Sequence, residues 1–353
     1  MKIKNIVTLL LCGAFILSFA GWCILGTTPA YSESERRVLA EFPEVSWDKI
    51  VSGEFAGDFE DYATDRFPLR DFWRGLKASV RLNLFQQKDN NDIYYADGHI
   101  SKLEYPANPA MQDYAISLFT SVYEKYLSGN RVFFSMIPDK NRDLAELSMD
   151  YDAFEKYMTE GLSFATPIRI GDLLSKDDFY NTDTHWRQES IVDIAKRLAV
   201  AMGTSISGRY EQTALKTPFN GVYVGQSALP FEPDHITILE NDVIRGFEVT
   251  GAAAVYDLSK AESRDPYELF LSGTQPLVTI KNPANPEGGR LIVFRDSFGS
   301  SIAPLLAEGY SEVVLVDLRY VSSGMLGGLV DFTDADVLFL YSTILLNSST
   351  AMK

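Results

Sequence analysis

The chain has 353 residues, 46% of them hydrophobic and 12% aromatic, enough for one large core or two ordinary ones and too many for wholesale disorder. Its 48 acidic residues outnumber 32 basic ones for a net charge of −16, so no overall positive field draws in nucleic acid. Two cysteines and three histidines exclude thiolate metal clusters and disulfide-stapled scaffolds, no metal or cofactor site is legible by spacing, and imidazole chemistry falls to His99, His185 or His235.

Lys2 and Lys4 precede an apolar stretch that begins at Ile6, runs to about Thr28 and holds both cysteines, Cys12 and Cys23. About 20 apolar residues cross the hydrocarbon core as a helix, and lysines before them keep that end in the cytoplasm. Residues 1–28 are therefore expected to be a transmembrane signal anchor, with the C-terminal part extracytoplasmic. The alternative is a signal peptide cleaved near Thr28-Pro29-Ala30 and a secreted product. Residues 29–90 read as a linker and helical extension. Phe55, Phe59, Tyr62 and Ala63 recur at helical spacing there, Phe67-Pro68 ends that helix, and Phe72, Leu76, Val80 and Leu84 mark one face of the next.

Residues 91–353 read as an α/β domain. Ile93-Tyr94-Tyr95 before Ala96-Asp97-Gly98 predicts a strand and turn, which makes His99 a solvated turn residue. A helix over 111–127, a buried strand over 131–137 and a helix over 187–202 follow. Residues 203–288, with many Gly, Pro, Thr and Ser, suggest a β- or loop-rich insertion, and Asp234-His235 within it is a weak second pair. A strand over 290–294, a helix over 300–308 and strands over 313–316 and 337–341 are βαβ units of a parallel sheet covered on both faces.

Arg295-Asp296-Ser297-Phe298-Gly299 places a serine where a buried strand gives way to a helix. In an open α/β sheet such a hydroxyl faces the ligand crevice, near the N–H groups that open the helix and can steady an oxyanion. Ser297 is then a nucleophile; alternatively Ser297 or Asp296 caps the helix. A serine nucleophile needs a base, and the base needs a carboxylate to orient it. Tyr180-Asn181-Thr182-Asp183-Thr184-His185-Trp186 supplies His185 with Asp183 two residues before it and Trp186 to pack beside the ring. The competing reading makes Thr182 or Asp183 a helix cap and His185 an ordinary exposed residue.

Asp183-Thr184-His185-Trp186 resembles the Asp-His-His-Trp motif of the DHHW family, a branch of SGNH-like hydrolases and acetyltransferases similar to alginate O-acetylation proteins. Thr184 stands where the family has its first histidine. Asp296-Ser297-Phe298 resembles the family's serine block, with Arg295 where an SGNH block begins with Gly. Phe67-Pro68-Leu69-Arg70-Asp71, Ile137-Pro138-Asp139-Lys140 and Val316-Asp317-Leu318-Arg319-Tyr320 agree with further family stretches, and Asn220-Gly221-Val222-Tyr223 agrees more loosely. The resemblance implies an SGNH-like three-layer α/β/α domain with circularly permuted motif order. It implies a triad of Ser297, His185 and Asp183, supported by Asp296, Arg295, Trp186 and Lys140. It also implies O-acetylation of a cell-surface polysaccharide through an acetyl-serine intermediate, with a membrane-bound O-acyltransferase as partner. With water as acceptor the same triad is a carbohydrate acetyl esterase. With a decayed site the chain is a non-catalytic polysaccharide-binding or assembly scaffold.

Overall fold

Seven short runs, most of them continuously apolar, pair into one sheet. The structure is a computed structural model that describes residues 3–25, 29–32, 34–35 and 37–353, the side chains of 20 and 23–25 excepted, so the Cys23 thiol lies outside what is described. The chain divides into two units, Met1–Asn91 with Val224–Pro230, and Asp92–Tyr223 with Phe231–Lys353.

The second unit is built on strands β1 (Arg131–Ile137), β2 (Thr166–Pro167), β3 (Glu248–Thr250), β4 (Leu277–Lys281), β5 (Arg290–Arg295), β6 (Glu312–Val316) and β7 (Ala335–Ser342). Their order is β2-β1-β7-β5-β6-β4-β3. Pairing is parallel from β2 to β6, and β4 runs antiparallel to both β6 and β3. The fully parallel sheet expected from the βαβ repeats is thus corrected at one edge. That edge comes from 203–288, which is not wholly an insertion outside the sheet. Leu277-Val278-Thr279-Ile280-Lys281 alternates buried and half-exposed positions, the pattern of an antiparallel strand rather than of a doubly buried one.

Pleating sends Phe133, Leu291, Val293, Leu338 and Leu340 to one face, against Ile194 and Leu198 of the helix Val192–Ala201 and Ile302, Leu305 and Leu306 of the helix Gly299–Leu306. Phe134, Ile292, Phe294, Val337 and Phe339 meet Phe119 of the helix Pro109–Val122 and Phe154 and Met158 of the helix Tyr151–Gly161 on the other. Each such side chain contributes about 1.5–3 kcal/mol by leaving water. The result is three layers, α/β/α, around a mostly parallel sheet.

After β5 the chain passes through Gly299–Leu306 to β6 on one side, and then reaches β7 on the other side of β5. The carboxyl end of β5 is therefore a topological switch point, where open α/β sheets leave a crevice.

The hairpin Ile93–Ala96 with His99–Lys102 turns at Asp97 and Gly98, whose φ values of 47° and 81° are those of a two-residue hairpin loop with both residues left-handed. His99 opens the return strand and is 4% exposed, not the solvated turn residue that the Asp-Gly signal suggested.

In the first unit, Ser46 caps the helix Trp47–Ser52, Gly53 at φ 84° ends it, and the helix Glu54–Asp65 follows. Phe42, Phe55, Phe59 and Tyr62 form an aromatic cluster there. Buried Asp65 accepts from Arg37 and from the Ala40 N–H. The helix Arg70–Ser79 runs on into one further turn, Val80–Leu84.

The N-terminal segment is a helix, Ile3–Leu25. Among the described residues, however, no helix is long and apolar enough to cross a membrane, so the expected transmembrane anchor is without support there.

Candidate active site

Two loops meet at the switch point. The first is folded on itself between Phe179 and Trp186, which pair as an isolated bridge. The Tyr180 N–H donates to the His185 carbonyl at 3.0 Å, and the Arg187 N–H to the Asp178 carbonyl at 2.8 Å. Residues 181–184 form the tip. Asp183 Oδ1 accepts from the His185 backbone N–H at 3.0 Å and lies 2.6 Å from His185 Nδ1. A carboxylate only accepts here, so Nδ1 carries the proton and Nε2 is left to accept. Nε2 lies 2.7 Å from Ser297 Oγ, on the second loop. The Ser–His–Asp set expected from the sequence is assembled in hydrogen-bonding order, and neither Asp183 nor Thr182 caps the following helix.

Burial pushes the Asp183 carboxyl up, but the His185 ring, by its charge whenever it is protonated and by its hydrogen bond, with the Val222 and His185 N–H groups, outweighs it and holds the group well below the usual carboxylate range.

Asp296 braces the serine turn. Its Oδ1 accepts the Phe298 N–H at 3.0 Å, and its Oδ2 accepts the Ser342 N–H and hydroxyl at 2.8 and 2.7 Å, which ties the ends of β5 and β7 together. The N–H groups after the serine are in use: Phe298 on the Asp296 side chain, Gly299 on the Asp296 carbonyl and Ser300 on the Ser297 carbonyl. The expectation that these helix-opening donors stand free for an oxyanion is corrected accordingly.

Arg295 is 1% exposed. Its guanidinium turns inward, 3.6 Å from Asp317, which Arg319 also holds. Burial lowers the Arg295 pKa against the pull of Asp317. Its stem explains the glycine that follows the serine block, since a Cβ on Gly299 would sit 2.6 Å from Arg295 Cβ.

Trp186 supports the serine rather than the imidazole. Its indole N–H reaches the Phe298 carbonyl at 3.2 Å and Ser301 Oγ at 2.9 Å. The ring stacked on His185 is Tyr267, with centroids 3.8 Å apart and planes 12° apart. Tyr267 also donates to Ser301 Oγ at 2.9 Å, which fixes its plane.

Asp234, from the weak second pair, and Gly221 and Val222, from the loosely matching turn, secure the aspartate loop. Asp234 accepts the Asn181 and Thr182 N–H groups at 3.0 and 2.8 Å and the Thr182 hydroxyl at 2.6 Å. Its neighbour His235 is exposed and takes no part. The Val222 N–H donates to Asp183 Oδ2, and the Gly221 N–H to Thr182 Oγ1, both at 2.8 Å. Among the described residues no group of three histidine, cysteine or acidic side chains is placed to hold a metal ion.

Solved structures with the same arrangement of elements include a DHHW family protein from Eubacterium siraeum, with TM-score 0.58 and 20% identity over 74% of this chain and 94% of that one. It has the fold of a DHHW protein. Bacillus cereus PatB1 matches this DHHW fold with TM-score 0.59 and 16% identity over 73% of this chain and 97% of its own. PatB1 has also been solved with a sulfonyl adduct, which aligns at TM-score 0.58 and 18% identity. No family model and no curated protein matches the sequence.

The Gly221 turn gives a sharp prediction for this DHHW fold. A Cβ there would lie 2.2 Å from the Thr182 carbonyl oxygen and 2.5 Å from Asp183 Cβ, so something must shift. Gly221→Ala should displace the aspartate and lower kcat about 100-fold, as a 1 Å misplacement does. Steady-state kinetics and a thermal melt check it. A variant with full kcat would show that the turn has slack.

Proposed function

We propose that the chain is a serine-dependent acyltransferase whose acceptor is a hydroxyl of a cell-surface polysaccharide. The hydrogen-bonded line from Ser297 Oγ through His185 to Asp183, at 2.7 and 2.6 Å, carries this reading. Ser297 Oγ attacks the carbonyl carbon of an acetyl donor while His185 Nε2 takes its proton, and a tetrahedral oxyanion forms. His185 returns the proton to the leaving oxygen, giving an acetyl-serine. A sugar hydroxyl then attacks that ester, with His185 as base again, and Ser297 leaves as the alcohol. The Ser297 N–H is the backbone donor assigned to the oxyanion, because the next three N–H groups are in use.

Water in place of the sugar makes the same steps an esterase reaction. The intact relay favours either enzyme over a binding scaffold. The family resemblance of Asp183-Thr184-His185-Trp186 and Asp296-Ser297-Phe298 favours transfer, with a membrane-bound O-acyltransferase as supplier of acetyl groups. Lysines before an apolar N-terminal helix favour an extracytoplasmic domain.

The test uses the purified chain, an activated acetyl ester and a neutral polysaccharide. A serine-directed sulfonyl fluoride is expected to add one sulfonyl group at Ser297, found by peptide mass, and to stop acetate release. Acetyl esters on the glycan distinguish transfer from hydrolysis. An unlabelled Ser297 with turnover intact overturns the reading.

A further inference from the structure

Lys140 lies three residues beyond β1 and is 1% exposed. Its Nζ donates to four backbone carbonyls: Asp183 at 2.8 Å, Ile100 and Tyr180 at 2.9 Å, and Asn181 at 3.3 Å. Three of these belong to the loop that carries Asp183, and the fourth ties that loop to the strand His99–Lys102, whose Ile100 N–H in turn donates to the Asn181 carbonyl. The Tyr223 ring lies 5.3 Å from the ammonium. Among the described residues Lys140 has no ion pair. A buried ammonium without one is costly, and here backbone carbonyls and a ring face offset that cost.

We propose that charged Lys140 is the positioning residue that holds the backbone of Asp183, and so the aim of the His185 ring, and that its deprotonation disarms the site on the alkaline side. The proposal rests on the reading of Ser297, His185 and Asp183 as the catalytic set. An ammonium has three N–H donors for these carbonyls. A neutral amine has two, and its lone pair then faces a carbonyl oxygen and repels it. Losing the proton therefore loosens the loop tip, not merely one contact.

The groups that face Lys140 set where this happens. Burial pushes its pKa down to about 8, against the upward pull of Asp139, Asp183 and Asp234. His99, from the hairpin, is itself held down by burial first and then by the Lys140 charge, and Tyr223 supplies an aromatic face rather than a charge.

The test reads kcat and KM for an activated acetyl ester from about pH 6 to about pH 10. Wild type should lose most of its kcat through a midpoint near pH 8, with KM changing less than about twofold, since positioning and not binding is lost. Lys140→Met should lower kcat about 100-fold at neutral pH and remove the alkaline limb. Lys140→Arg, charged to above about pH 12, should move the limb upward. A second readout needs no turnover: the downfield proton resonance of the His185 Nδ1–H on Asp183. In wild type this resonance should shift or broaden through about pH 8, and in Ser297→Ala at neutral pH it should persist. A limb at the same pH in the Lys140 variants, or a resonance unchanged to about pH 10, overturns the proposal. If no variant turns over the ester, the acyl-transfer reading fails, and the wild-type resonance titration still decides the role of Lys140.

Discussion

Replacing Ser297 with alanine is expected to lower kcat for an activated acetyl ester by roughly ten-thousand-fold or more, because no second nucleophile stands in line with the base. The serine hydroxyl is half-buried, and its hydrogen bond runs to the His185 ring. The bonds that shape the turn run through Asp296, Ser342 and the Phe298 N–H and do not involve Oγ. Melting temperature should therefore move by about 2 °C or less, and the loss would be one of chemistry. The measurement is a pair: initial rates and a thermal melt on the same preparation. A folded Ser297→Ala protein with wild-type turnover would remove the serine from the mechanism.

Asp183→Asn is expected to cost roughly a thousand- to ten-thousand-fold in kcat. The carboxylate meets only donors: the His185 N–H, His185 Nδ1–H and the Val222 N–H. An asparagine offers one oxygen and one NH2 in their place. If the NH2 faces Nδ1, the imidazole must put its proton on Nε2 and can no longer take one from Ser297. If it faces Val222, two donors oppose each other. Initial rates across the neutral range check the loss, which pH should not rescue.

The same substitution has a stability signature. The folded carboxyl is depressed below the ordinary aspartate value of 3.8, so its stabilisation is present above that pH and lost as pH falls below it. The asparagine variant should therefore lose less stability than wild type on acidification, which melts at neutral and acidic pH would show. Equal acid slopes would mean that Asp183 is not held in its charged form.

Much of the molecule was legible along the chain. Mostly apolar runs read at 131–137, 290–294, 313–316 and 337–341 are strands because a doubly covered parallel sheet needs apolar side chains on both faces. A histidine two residues after an aspartate, and a serine at a strand-to-helix turn, are local patterns that left a helix-cap reading open, and it was the family resemblance beside them that singled out Ser297, His185 and Asp183. The membrane anchor expected from the apolar run at the N-terminus finds no support among the described residues. His99 was misjudged because an Asp-Gly turn signals loop geometry and says nothing of what covers the loop.

The parts that position the site were not legible. Tyr267 comes from 203–288, where short turns and brief runs leave no hydrophobic period to read; Asp234, Gly221 and Val222 were noticed there, but not that they hold the aspartate loop. Trp186 sits beside His185 in sequence, yet its indole bonds the serine loop, while the ring stacked on the imidazole comes from 82 residues further along the chain. The acceptors of Lys140 are backbone carbonyls, which every residue carries and no sequence pattern marks. Sequence thus carried the identity of the groups proposed to react, since residue type at short spacing and the motifs of a family are both written along the chain. The tautomer, the aim and the charge environment of those groups depend on contacts between distant segments, and these exist only once the chain has folded.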